Sequence, residues 1–255
     1  MMTDLILTVR PAPDGDLDVA ALGRRGAAAM AAPVMAPIYL DHRELPVAEV
    51  VGGLIFTSRH AISAFLDLFG GTLPSAWTSL PVFAVGRAAG RVAREAGFGD
   101  VTVGSGGGAG LVPLVRARFQ ARRKMDSPPL LWPCAVHRGF DMKAALAPRL
   151  TVAVMPVYEM TPVPRLDSAA RAALADGRVR AVILMSARSA GLFRDMLARH
   201  GLEARVVDMA LIAGSADIAA AAGPGWREQF VARRSTRARL LAIAALFYHR
   251  RMTEH

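Results

Sequence analysis

Two stretches carry a small hydroxylated turn at a fixed separation: "GLIFTSRHAISAFL" from Gly53 holds Thr57-Ser58, and "VILMSARSAGLF" from Val182 holds Met185-Ser186. Ser186 minus Ser58 is 128, and Phe193 minus Phe65 is also 128. Val85-Gly86 maps onto Ala213-Gly214 at that offset, with Ser215 following, and Gly97 maps onto Gly225. Each turn ends an apolar run of strand length and opens a segment with helical spacing. A helix start presents unpaired backbone N–H groups and the positive end of the peptide dipoles, which is a site for an anion. Gly lets backbone approach a ligand, and Ser can cap the helix while facing outward. Each Ser read alone is equally an N-cap with no ligand. Four such turns in two similar lobes would line facing walls of an anion-binding cleft.

Other chemistry is thinly represented. His42, His60, His137 and His200 have no Ser or Cys beside them in a nucleophile motif, and no G-x-S-x-G elbow occurs. Cys134, the single cysteine, reads as a buried strand-end thiol, and no Cys/His set has metal-ligand spacing. "VGSGGGAGLVPLV" from Val103 follows a strand, but the dinucleotide fingerprint sits on the first strand of its fold, and the segment about 20 residues on is basic. A Gly-rich loop is the simpler reading. Tyr158 is a phenol that could donate or accept a hydrogen bond at the mouth between lobes, or pack there as an aromatic.

The elements that must position these residues follow from patterning. Apolar runs alternate with amphipathic helical segments, the pattern of parallel sheets with helical crossovers. Strands are expected at Leu5–Val9, Leu54–Thr57, Val82–Val85, Val101–Val103, Leu130–Trp132, Ala181–Met185 and Ala210–Ala213. Two Pro-containing segments, about 34–40 and 152–160, break the alternation, and each has Pro, an aliphatic residue, then Tyr, as edge strands tolerate. They are expected to connect two α/β lobes, one discontinuous (1–36 plus 162–255) and one inserted (37–161). The basic "RRSTRARLLAIAALFYHRR" from Arg233 reads as a helix packing Leu240, Leu241, Ile243 and Leu246 on the discontinuous lobe.

The chain has 255 residues, 53% of them hydrophobic, and 31 basic against 21 acidic side chains give a formal +10. Lys occurs only at 124 and 143, so nearly all the positive charge is guanidinium, which grips carboxylates and phosphates in two-pronged fashion. An Arg-rich, Ala-rich composition accounts for the same excess without any anionic partner. The start "MMTDLILTVRP" lacks an export signal, and the apolar run Leu240–Tyr248 is far short of the roughly 20 residues that span a bilayer. The expectation is a cytoplasmic protein, without a membrane or nucleic-acid partner, acting as a monomer.

In order and spacing these features resemble the uroporphyrinogen-III synthase family. Thr8-Val9-Arg10-Pro11 is similar to its opening T-R-P, Phe56-Thr57-Ser58 with Ala61 to its "TSxxA", and Val85-Gly86 with Gly97 to its "VG…A…G". Leu131-Trp132-Pro133-Cys134 with Arg138 resembles its strand before a basic turn, Val157-Tyr158-Glu159 its "VYE", and Met185-Ser186 with Ser189-Ala190 its "fSxxsa". The chain departs where the family often has Thr three residues after each VG-type glycine (Ala89 and Asp217 here), and His60 stands where many members have Arg. The resemblance implies cyclisation of hydroxymethylbilane to uroporphyrinogen III with loss of water and inversion of the last pyrrole ring. It implies no cofactor or metal, and substrate handed over from hydroxymethylbilane synthase. Tyr158 would stand nearest the leaving hydroxyl. Thr57, Ser58, His60, Gly86, Ser186, Ser189, Gly214 and Ser215 would hold the substrate's carboxylates, with Arg10, Arg59, Arg87, Arg138 and Arg188 as charge partners. The alternatives are an inactive two-lobed sensor of an anionic ligand and a nicotinamide-dependent oxidoreductase.

Overall fold

The computed structural model describes residues 4–42, 44–120 and 128–253. The chain divides into two compact units, Met1–Ala36 with Thr161–His255 and Pro37–Met160, called here the split lobe and the inserted lobe. The basic segment carrying Lys124 and Asp126 lies outside the described residues.

The split lobe opens with β1 (Leu5–Thr8), α1 (Asp14–Gly23) and β2 (Ala29–Ala31), and resumes with α7 (Ser168–Ala175), β9 (Val179–Leu184), α8 (Ala187–Arg199), β10 (Ala210–Ala213), α9 (Ala216–Ala222), β11 (Glu228–Val231) and α10 (Arg237–Thr253). Its five strands are ordered β11-β10-β9-β1-β2, and every pairing is parallel. Such a sheet needs cover on both faces, and the pleat alternates its apolar residues between them. Ile6, Ala181, Ile183, Ala210 and Ile212 cluster with Leu22 of α1 and Leu240, Leu241 and Phe247 of α10. The neighbours Leu7, Val182 and Leu211 alternate to the other face and are fully buried.

The inserted lobe contains β4 (Gly53–Phe56), α2 (Arg59–Asp67), α3 (Ser75–Thr78), β5 (Val82–Ala84), α4 (Arg87–Glu95), β6 (Val101–Val103), α5 (Val112–Phe119), β7 (Leu130–Ala135) and α6 (Met142–Leu146). The chain enters it along β3 (Met35–Tyr39) and leaves along β8 (Val152–Pro162). The sheet order is β3-β8-β7-β4-β5-β6. Alternation again serves two cores: Leu54 and Phe56 of β4 pack with Phe65, Trp77 and Phe98, while Ile55 packs with Phe83, Leu111, Trp132 and Met142. That double burial explains why β4 reads as an unbroken apolar run.

Three expectations are corrected. β2 and β11, short and partly exposed, fall outside the expected strands: β2 lies in an alanine-rich stretch with little strand preference, and β11 opens on the polar Glu228-Gln229. The 128 offset holds for the first strand-to-helix unit, where Ser58 and Ser186 cap α2 and α8 and Phe65 and Phe193 are fully buried. It slips by one in the second, since the residue before α4 is Gly86 and the residue before α9 is Ser215; Gly97 and Gly225 then share φ +94° at the 128 spacing, the shorter α9 absorbing the slip. Finally, Leu240 and Leu241 pack inward as expected but Leu246 is 71% exposed; the buried positions of α10 step from 241 through 244, 245 and 248, a stripe that leaves 246 on the outer side.

Candidate anion-binding site

In each sheet the strand order reverses once, between β7 and β4 in the inserted lobe and between β1 and β9 in the split lobe. Parallel α/β sheets hold ligands beyond the carboxyl ends of the strands at such a reversal, because neighbouring connections there leave on opposite faces and open a crevice. In the inserted lobe that place is a pocket of about 460 Å³. Thr57 and Ser58 after β4, Val85 after β5, and Trp132, Ala135 and His137 through Phe140 at the end of β7 line it, joined by Gly107, Gly108 and Tyr158. The sequence-predicted Thr57, Ser58, Arg138 and Tyr158 therefore come together. Val85, Trp132, Ala135, His137, Phe140 and the three glycines at 107, 108 and 139 are additions.

Ser58 is the N-cap of α2, its hydroxyl oxygen accepting from the backbone N–H of His60 at 3.1 Å. Thr57 Oγ1 accepts from the indole N–H of Trp132 at 3.2 Å. Arg138 sits over that indole, its Cζ 5.5 Å from the ring centroid, and its Nη1 donates to the carbonyls of Ala135 (3.0 Å) and Val136 (3.2 Å) and to Cys134 Sγ (3.7 Å). Among the described residues no carboxylate pairs with Arg138, so a fixed positive charge faces the pocket. Burial raises the pKa of the Cys134 thiol above its ordinary value, with the adjacent guanidinium opposing that shift. The thiol therefore stays neutral and adds no negative charge.

Tyr158 reaches the pocket through a register shift. β7 pairs with β8 in step as far as Cys134 opposite Pro156, and then Ala135 faces Tyr158, leaving Val157 as the extra residue. A bulge re-aims side chains, and here the consecutive Val157 and Tyr158 both join the core cluster around Phe56 and Phe65. The Tyr158 ring is 5.8 Å from the His60 ring, both largely buried. On the exposed rim His137 Nε2 lies 3.4 Å from Glu159 Oε1.

The Gly-rich loop has a packing role. A Cβ on Gly108 would lie 2.5 Å from the Phe140 ring, so only glycine lets the loop close against the turn after β7. The segment continues as a 3-10 turn, Gly108–Leu111, and it follows the edge strand β6 rather than a strand that borders the reversal, although Gly107 and Gly108 reach the pocket. That is not the placement of a dinucleotide loop, and the oxidoreductase reading is not favoured.

The remaining predicted residues lie elsewhere. Arg59 opens α2, and Gly86 and Arg87 open α4 with Arg87 exposed. In the split lobe Ser186 caps α8 and hydrogen-bonds Ser189, its Oγ 2.8 Å from the Ser189 hydroxyl; Arg188 follows on the exposed side. Ser215 caps α9. Gly214 precedes that cap; its own N–H donates to Leu184 O at 3.1 Å, and a Cβ there would approach Ser235 Oγ to 2.5 Å. Arg10 is corrected as a charge partner: Nη2 pairs with Asp14 at 2.9 Å and Nη1 with the fully buried Asp18 at 3.2 Å. Among the described residues no group of three or more His, Cys, Asp or Glu could hold a metal ion, and no helix is long and apolar enough to cross a membrane.

A family model described as "Uroporphyrinogen-III synthase HemD" matches residues 17–242. Among solved structures, the chain is similar to uroporphyrinogen-III synthetase from Helicobacter pylori (TM-score 0.59, 15% identity, 96% of this chain and 100% of that one). It is also similar to a mutant uroporphyrinogen III synthase from the extremely thermophilic bacterium Thermus thermophilus (TM-score 0.50, 17% identity, 99% and 100%). At such identities these two likenesses bear on the fold. No curated protein matches the chain significantly.

Proposed function

The chain belongs to the uroporphyrinogen-III synthase family, an enzyme family of tetrapyrrole synthesis, and from that premise we propose a cofactor-independent, cyclising hydro-lyase. It converts hydroxymethylbilane to uroporphyrinogen III with loss of water and inversion of the last pyrrole ring. The observation that supports this reading best is the pocket at the β4/β7 reversal, where Arg138 faces outward without a carboxylate partner among the described residues and Tyr158 lies alongside. The substrate carries eight carboxylates, ionised near neutral pH, and such a pocket suits one of them.

In the mechanism we propose, Arg138, the Thr57 hydroxyl and the start of α2 behind Ser58 grip a carboxylate. Tyr158 gives its proton to the departing hydroxyl, so the C–O bond breaks and water leaves, with the cationic methylene stabilised by its own pyrrole. The electron-rich terminal pyrrole bonds to that methylene through its substituted carbon; the older bond from that carbon to its neighbouring methylene then breaks, and the freed methylene re-bonds at the pyrrole's unsubstituted α-carbon, whose proton returns to the tyrosinate, leaving the ring inverted. The uncatalysed competitor closes at the free end to the type I isomer, so orientation accounts for much of the enzyme's effect. This reading takes the protein as a cytoplasmic monomer supplied by hydroxymethylbilane synthase.

The test generates hydroxymethylbilane in place from porphobilinogen and its synthase, adds the protein, oxidises, and separates the porphyrin isomers. Type III product is expected, and type I alone would overturn the activity. Tyr158→Phe is expected to lower kcat at least about 10²-fold, the range for a lost proton-donating group. Full type III formation by that variant would remove Tyr158 from the chemistry.

A further inference from the structure

Trp132 is 1% exposed yet lines the pocket, and it touches both side chains that would meet an anion there. We infer that Trp132 is the positioning residue that makes this pocket selective for carboxylate, by fixing the direction in which Thr57 and Arg138 present their protons; this rests on the substrate reading above.

The indole N–H can only donate. Because it donates to Thr57 Oγ1 at 3.2 Å, the hydroxyl oxygen is engaged as acceptor and the Thr57 proton is left to point elsewhere. A hydroxyl free to rotate serves donors and acceptors alike; one held in this way offers a proton. Arg138 is held by the other part of the same ring. Its guanidinium lies over the indole, and Nη1 is committed to two carbonyls and a thiol, the Ala135 carbonyl being nearest at 3.0 Å. A guanidinium is planar with five N–H donors in a fixed fork. Anchoring Nη1 and the plane leaves the Nε/Nη2 edge without a partner among the described residues, and that edge is the one that meets both oxygens of a carboxylate.

Trp132 is itself immobilised from behind, in the core formed by Phe83, Leu111 and Met142. The polarity of the pocket is therefore set by one residue that is almost wholly buried. Cationic groups meet the uncancelled charge of Arg138, and a donor finds only the second lone pair of Thr57 Oγ1 as an acceptor from these two side chains.

The test compares full-length wild type with Trp132→Phe, which keeps an aromatic face and loses the N–H, and Trp132→Leu, which loses both. With hydroxymethylbilane generated in place, KM is expected to rise about 3- to 10-fold for Trp132→Phe and about 10- to 50-fold for Trp132→Leu, with kcat held within about twofold. Adding Thr57→Val to Trp132→Phe should raise KM further, but by less than Thr57→Val does in wild type, because the hydroxyl has already lost the N–H that orients it. Unchanged KM in Trp132→Leu, with kcat and melting temperature lowered instead, would show a purely structural role and overturn the inference. A second readout needs no turnover: binding of uroporphyrin III followed by the anisotropy of the porphyrin's own emission. If wild type forms no type III isomer, the catalytic reading fails, yet porphyrin binding weakened in both variants would still uphold the role of Trp132. Wild type that fails to bind the porphyrin, or variants that bind it equally well, would overturn it.

Discussion

The two strand-order reversals are built from the same parts and finished in opposite ways. Each places an arginine just after the strand that borders it, Arg138 after β7 and Arg10 after β1, and each has a Ser-capped helix, α2 or α8, following the neighbouring strand. In the split lobe the guanidinium is spent internally. Arg10 uses Nη1 and Nη2 on Asp18 and Asp14, Thr8 donates to Asp18 at 3.3 Å, and Arg237 at the start of α10 adds a second cation on Asp18. Two cations meet two anions, and the crevice is closed electrostatically. In the inserted lobe Arg138 meets carbonyls, a neutral thiol and an aromatic face, none of which cancels its charge. The two arginines thus differ in whether the fold itself supplies a carboxylate partner among the described residues.

That contrast can be broken most forcefully at Asp18. Asp18→Ala leaves two guanidinium groups without their buried partner and should cost about 3 kcal/mol or more, seen as a lowered melting temperature; an unchanged melt would remove the network from the stability of the split lobe. Next comes the pair of arginines themselves. Arg138→Ala should raise KM for hydroxymethylbilane about 10- to 100-fold, the range for a charge-assisted hydrogen bond, while Arg10→Ala should lower the melting temperature and leave KM nearly unchanged. Equal KM effects would erase the difference between the two reversals.

Glycines sharpen the comparison on a smaller scale. Gly108→Ala drives a methyl into the Phe140 ring and should cost about 1–3 kcal/mol, with a raised KM because the pocket wall must move. Gly214→Ala meets the Ser235 hydroxyl at 2.5 Å and the Ile218 Cδ1 methyl at 3.2 Å, both ends of side chains that can turn, so its loss of stability should be the smaller of the two in denaturant titrations. The smallest effect is expected at Cys134. Its thiol pKa is raised by burial, so the folded state holds that proton more tightly than the unfolded chain. The associated stability is present below the unfolded pKa and is lost as pH rises through the folded one. Melting temperature should therefore fall toward alkaline pH more steeply in wild type than in Cys134→Ala.

Much of the fold is legible in the sequence because buried parallel strands announce themselves as apolar runs and the Pro-bearing β3 and β8 interrupt them. β2, in an alanine-rich stretch, and β11, which opens on Glu228-Gln229, are silent. Half of the inserted-lobe site is legible as well: Thr57-Ser58 stands at a strand end, and Tyr158 and Arg138 stand out by type. Trp132 is hidden because a tryptophan in an apolar strand reads as core, which it is; its second role depends on which groups lie across the sheet.

The sequence by itself determined the alternation of strands and helices, the Pro-marked passage between lobes, the excess of guanidinium and the motif order that marks the family. Those properties are local or additive, and composition and spacing carry them. Only the tertiary structure decided which arginine keeps its charge available, since Arg10 meets the buried Asp18 through the fold of α1 while no carboxylate reaches Arg138 among the described residues. It also decided that a single extra residue at Val157 turns Tyr158 toward the pocket, because a bulge arises from the pairing of two strands and is written in neither alone.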